Sequence, residues 1–356
     1  VWCAIAPHAL ALASLPASYP KANANHPSRM MRNTHDFQDD DVMTTLPALV
    51  TFENFARVES ERMFAGIAAA AGSSNVWNHF RGPTPVEEQT VIRMNRDTLY
   101  SAAIIDVSQG ATVTIPEASG RYISMMLVNQ DHYINRVLHA AGTYELTAEE
   151  LGSDFVLAAA RILVDPENAD DVAVVNALQD GLSLTSAAAG QFAPAPFDVE
   201  SFTETRDAVL TLSKGLSGLE GCFGPREAVD PLRHLLGTAS GWGGLPEAEA
   251  SYINVEPGLP VGEYTLTVGD VPVDGFWSIS LYNADGYFEP NEFGIYSVNS
   301  VTGIRDADGS ITVRFGGDPA APNFLPLTEG WNYLVRLYRP RAEILEGRWS
   351  FPAINA

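Results

Sequence analysis

The feature that most limits the folds open to this chain lies in its last hundred or so residues. Short β-branched and aromatic runs recur there at roughly 10 to 18 residues, each closed by a turn signal. The runs cover residues 264–268, 276–282, 294–298, 310–315 and 333–338, and the turns include Asp285-Gly286, Asp308-Gly309 and Gly316-Gly317. No helix-length segment separates them, which disfavours a parallel α/β sheet and predicts an antiparallel β sandwich or jelly roll over residues 246–356.

The first half of the chain has a different rhythm. Apolar residues at Leu49, Phe52, Phe55, Met63, Phe64 and Ile67 fall at helical spacing with acids between them, and Gly72 supplies a stop. Period-two and β-branched patterns follow at 90–94, 102–107, 111–115, 122–128, 134–138 and 155–164. The Ala-rich segments 169–182 and 201–216 read as helices, with Asp198 or Ser201 as the cap of the second, and a third helix is expected over 224–236. At 356 residues about two domains are expected. The reading is mainly β with a helical portion: a leader or extension at 1–45, a helix plus β domain at 46–165, a helical portion at 166–245 and the C-terminal sandwich. In the leader, an apolar stretch precedes Ala22-Asn23-Ala24, the pattern signal peptidase prefers, but a basic start is missing. Export to the periplasm or medium and an upstream extension of a cytoplasmic protein both stay open.

Charge narrows the partners. The formal net charge is −23, from 44 acidic and 21 basic residues, and only Lys21 and Lys214 are lysines. A field of that sign repels phosphate backbones, so nucleic acid is excluded as a natural partner. No apolar run reaches the roughly 20 residues of a membrane span. The two cysteines, Cys3 and Cys222, rule out a disulfide framework. A homo-oligomer is compatible with the composition.

Two strings concentrate chemistry. In Asn95-Arg96-Asp97-Thr98-Leu99-Tyr100, an amide, a guanidinium, a carboxylate and a phenol crowd a strand approach. Arg96 and Tyr100 on one face would clamp an anion or carbonyl with Asp97 orienting the arginine; alternatively, a buried Arg-Asp pair locks a turn. Asn129-Gln130-Asp131-His132-Tyr133 sets an acid beside a histidine, which gives His132 as a base or as a structural hydrogen-bonding residue. His132 and His139 lack a third ligand, so no metal is expected. There is no G-x-S-x-G string, no P-loop and no dinucleotide fingerprint, and the cofactor is left unknown. In the C-terminal region Trp277, Tyr287 and Trp331 either face a sandwich core or, interleaved with Asn and Asp, offer stacking surfaces for a sugar.

The strings VIRMNRDTLYSAAIIDVS, RYISMMLVNQDHYINRVLHAAGTYELT, FGPREAVDPLRHLLGTASGWGG, VPVDGFWSISLYNADGYFEPNE and GWNYLVRLYRPRAEILEGRWSFP together resemble a bacterial family built from two modules. These are the domains of unknown function 1254 (N-terminal) and 1214 (C-terminal). The resemblance implies an N-terminal β sandwich with added helices followed by a jelly-roll-like sandwich, and frequent export. Some relatives carry a carboxylesterase label. Where many relatives look like N-W-L-P or N-C-L-P, this chain has Asn323-Phe324-Leu325-Pro326.

The leading expectation is an exported small-molecule hydrolase of esters or amides with its cleft between the lobes. Arg96, Asp97, Tyr100, Asp131 and His132 would carry the reaction, and Asn95 and Tyr133 would help bind. A carbohydrate-binding protein using Trp277, Tyr287 and Trp331, or a surface protein that acts by assembling, are the alternatives.

Overall fold

The computed structural model describes residues 47–89 and 92–355. The expected leader, Cys3 and the start of the strand expected at 90–94 lie outside the described residues.

The N-terminal lobe is built around a five-stranded antiparallel sheet in the order β1 (Asn78–His79), β2 (Thr98–Asp106), β7 (Phe155–Leu163), β4 (Ile123–Asn129) and β5 (Ile134–Leu138). The sequences of β2, β4 and β7 are almost uninterruptedly apolar because both of their faces are covered. Leu99, Ala103, Ile105, Met125 and Ala158 point into a core shared with a second sheet, β6 (Gly142–Leu146), β3 (Ala111–Ile115) and β8 (Ser183–Ser186). The opposite face packs on helix α1 (Phe55–Ala71), on Cys222, Phe223 and Trp242, and on Phe276 and Tyr338 of the C-terminal lobe.

In the C-terminal lobe, a four-stranded sheet, β12 (Ser297–Asn299), β11 (Trp277–Tyr282), β15 (Asn332–Tyr338) and β9 (Ala250–Val255), faces a three-stranded one, β10 (Tyr264–Val268), β13 (Ile311–Phe315) and β14 (Phe324–Leu325). Their shared core holds Trp277, Ile279, Phe315, Trp331 and Val335. The class read from the sequence, mainly β with antiparallel sandwiches and a helical portion, is the class observed, and one pair, β13–β14, is parallel.

Several boundaries differ, each for a local reason. Helix α1 begins at Phe55, after a turn in which the Thr51 amide donates to Asn54 Oδ1, so Leu49 and Phe52 lie outside it and are exposed. Gly72 does end it, in the left-handed conformation. Asp198, not Ser201, caps the helix Val199–Ser213 by accepting from the Ser201 amide. The third helix starts late, at Pro231, because Asp230 caps it and proline suits a first turn. Residues 92–97 form turns and loop, and β2 starts only at Thr98.

Candidate functional site

Residue 161 is the one charged position in an apolar strand, and residue 336 is its counterpart across the lobe interface. In the register of the N-terminal sheet Arg161 lies opposite Tyr100 on one side and Ser124 on the other. In the C-terminal sheet Arg336 lies between Ser278 and Tyr252. Strand alternation turns Trp277, Ile279, Tyr333 and Val335 into the sandwich core, and thereby turns Ser278, Ser280, Tyr282, Arg336 and Tyr338 toward the other lobe. Two arginine-centred rows thus meet between the lobes.

The loop before β2 joins them. Asn95 Nδ2 lies 2.9 Å from the Tyr100 hydroxyl and 3.1 Å from that of Tyr338, and Asn95 Oδ1 accepts the Asp97 amide. Ser278 donates to Asp97 Oδ2 at 2.6 Å. Arg336 is fully buried; it donates to Ser280 Oγ, to the Tyr282 hydroxyl and to the carbonyls of Arg93 and Met94. Within the centre Asp97 Oδ1 and Arg336 Nε have no hydrogen-bond partner among the described residues, and beside it Arg93 Nε and Arg96 Nε are likewise unpartnered. The Tyr122 and Ser124 hydroxyls neighbour each other, buried, without hydrogen-bonding geometry.

Burial sets the protonation states. It pushes the Asp97 carboxyl above the ordinary value of 3.8, against the pull of Arg336 and Ser278. It also raises Tyr252 to about 12 and holds Tyr122 and Tyr338 well above the phenol range, so these hydroxyls remain neutral donors. With two guanidiniums against one carboxylate, the centre carries a local positive excess inside a strongly acidic chain.

Tyr122 forms part of the floor of a groove of about 880 Å³ between the lobes, whose rim includes Arg121, His139, Asp274 and Arg339. Its ring packs on Phe276 at 5.2 Å and Tyr338 at 5.4 Å. On another side, Tyr252 lines a cavity of about 410 Å³ with Arg93, Glu220 and Glu247. Both openings are therefore separated from the polar centre by a tyrosine.

The site read from the sequence is only partly assembled. Asn95, Asp97 and Tyr100 come together. Arg96 does not join them: it donates to the Thr84 carbonyl and to Glu167, and lies 5.2 Å over the Tyr296 ring. Asp97 therefore does not orient Arg96; the segment 95–97 precedes the strand, and strand alternation does not govern it.

His132 is a second correction. It is fully buried at φ 66°, accepts the Gly243 amide at Nε2 and so presents its Nδ1 proton to Thr238 Oγ1, stacked on Trp242. Both nitrogens are used, which removes it as a base. The Asp131 carboxylate points to Arg57, not to His132, and Tyr133 stacks on His234. Trp277 and Trp331 lie in the sandwich core, and Tyr287 is half-buried on the turn after β11, so these three rings form no sugar-stacking surface.

Sequence reasoning missed Arg161, Tyr252, Ser278 and Arg336. A signal was available: a lone arginine amid the apolar runs Phe155–Leu163 and Asn332–Tyr338 must be buried with partners.

Residues 74–186 match the family described as protein of unknown function (DUF1254), and residues 259–342 match protein of unknown function (DUF1214). The chain belongs to this two-module family. The DUF1254 module supplies Asn95, Asp97, Tyr100 and Arg161, the DUF1214 module supplies Ser278, Tyr282, Arg336 and Tyr338, and Tyr252 comes from between the matched segments. The polar centre is thus where the modules meet. A crystallographically solved protein of Vibrio parahaemolyticus shares the fold, with TM-score 0.66 and 18% identity over 86% of this chain and 97% of that one. An uncharacterised protein of Burkholderia cenocepacia aligns at TM-score 0.47 and 16% identity, over 85% of this chain and 86% of the other. No curated protein matches the chain. The DUF1214 departure at Phe324 is a packing matter: its ring is buried against Phe293 in the three-stranded sheet, away from the interface.

Proposed function

We propose that the protein binds a small molecule bearing a carbonyl or carboxylate oxygen between its lobes, and hydrolyses esters or amides there. The observation that carries this is the pair of facing arginine rows with Asp97 Oδ1 and Arg336 Nε unpartnered. Unpartnered arginine Nε atoms occur outside the centre as well, so the weight rests on Asp97 Oδ1: a buried carboxylate oxygen without a donor, beside an arginine, favours a third party. Asp97, with its raised carboxyl, is the base the centre offers: Oδ1 takes a proton from water as the water oxygen bonds to the carbonyl carbon. The guanidiniums and neutral tyrosine hydroxyls stabilise the oxyanion that forms. Collapse breaks the carbon–leaving-group bond, and the proton on Asp97 passes to the departing alkoxide or amine. Entry runs past Tyr122 from the groove.

The test is a panel of p-nitrophenyl esters and anilides against wild type and Asp97→Asn, with melting curves for both. Turnover should fall about 100-fold or more in the variant while it stays folded. In wild type, kcat/KM should rise with pH through a midpoint above the ordinary carboxylate value. Equal turnover by two folded proteins would end the proposal.

A further inference from the structure

The interlobe groove contains a cation that the hydrolytic centre does not use. Arg121 is held there by a bidentate pair with Asp171, and it also donates to the Leu163 carbonyl. His139 lies between the Ile123 carbonyl, at 3.0 Å from Nδ1, and Glu249, at 2.7 Å from Nε2. Asp274 is taken by Arg341 at 2.7 Å. Among the described residues the guanidinium of Arg339 alone, of these rim cations, makes no hydrogen bond and no ion pair, although Asp274 lies within its field.

The backbone that presents Arg339 is fixed. Its φ is 53°, a conformation that costs energy for any residue but glycine and persists only where neighbours hold it. The neighbours are visible: the Arg339 amide donates to the Glu249 carbonyl, and its own carbonyl accepts the Asp274 amide, both at 2.9 Å. One residue on, the Gly275 amide donates to the Tyr338 carbonyl, and a Cβ at Gly275 would stand 2.7 Å from that oxygen, so glycine is required for the approach. A strained, tightly held residue that ends in an unpaired charge inside a groove of about 880 Å³ is a feature of ligand sites, since a purely structural arginine would be free to pair.

We infer that Arg339 binds the carboxylate of a small molecule whose apolar body lies on the Tyr122 ring, so that the groove selects acid-bearing ligands. A guanidinium matches a carboxylate in a planar two-point contact, and the aromatic floor supplies area for an alkyl or aryl body. The link to turnover rests on the hydrolytic reading above: it names the substrate class as esters or amides that also carry a free carboxylate. The binding claim does not depend on it.

Benzoate and its neutral isostere benzamide are the probes, titrated by NMR into wild type, Arg339→Asn, Arg339→Lys and the charge-matched control Arg348→Asn. Asparagine tolerates positive φ, so that variant keeps the turn. Benzoate should bind wild type at about millimolar strength and benzamide at least about tenfold more weakly. Arg339→Asn should lose about tenfold for benzoate and nothing for benzamide, Arg339→Lys should recover part of the loss, and Arg348→Asn should match wild type. Equal affinity of wild type and Arg339→Asn for benzoate, equal affinity of wild type for the two probes, or no benzoate binding at about 10 mM would overturn the inference. Because these titrations involve no turnover, loss of the Asp97 mechanism leaves them intact, and their failure leaves the Asp97→Asn result standing.

Discussion

His132 illustrates how a residue with catalytic chemistry becomes structural. Its imidazole is neutral because burial, with a smaller contribution from His234, holds it well below the ordinary value of 6.5. A depressed histidine binds its proton later in the folded than in the unfolded chain. Its contribution to stability is therefore present above 6.5 and is lost as pH falls from 6.5 toward the lowered value. Urea unfolding of wild type should show ΔG decreasing on that side, and His132→Asn, which suits the left-handed backbone, should show a flatter slope. His132→Ala should cost about 2–4 kcal/mol, from the orphaned Gly243 amide and the cavity beside Trp242. Unchanged stability in His132→Ala would contradict this account.

Among the elements, helix Ala169–Asp180 shows how local chemistry positions the groove. Asn168 caps it, accepting the amides of Asp170 and Asp171, and that same first turn delivers Asp171 to Arg121 on the groove wall. Asn168→Ala should cost about 1 kcal/mol in denaturant unfolding, and a loss below about 0.3 kcal/mol would show that the cap is dispensable. The Asp171 carboxyl is partly buried, which acts upward, but the hydrogen bonds from Arg121 and the Asp165 amide hold it below the ordinary 3.8. This pair stabilises above that value and is lost as pH falls below it. The helix was legible from its Ala-rich run, although its Asn168 cap was not read. The partner of Asp171, fifty positions away, was not.

For the whole molecule, the lobes share one core. Tyr100 and Leu157 of one lobe pack in a single cluster with Phe276, Tyr338 and Ala250 of the other, and the charge on Arg336 faces Asp97 across the boundary. Near- and far-UV circular dichroism should therefore report one coincident transition in urea. Arg336→Ala should lower stability by about 3–5 kcal/mol, because it strands a buried carboxylate, and adding Asp97→Asn should restore part of that loss. Two separate transitions, or strictly additive effects of the two changes, would show that the lobes and the pair are independent.

Most strands were readable because side-chain alternation is a local property: residues 111–115, 134–138 and 264–268 were assigned to the residue. The sandwich class followed from turn spacing, and the density of polar groups beside an apolar strand pointed to the buried polar cluster in which Asn95, Asp97 and Tyr100 meet. Sequence also carried, unread, the two lone arginines in buried strands. What it does not contain is the partner of each charge. Arg96 turned to Glu167, Asp97 to Ser278, 181 positions away, and His132 to Thr238 and Gly243. Those choices are made by strand register and by the contact of two lobes, which bring together residues that no local period relates. Alternation decides which face of its own sheet a side chain takes; only the tertiary fold decides what waits on the other side.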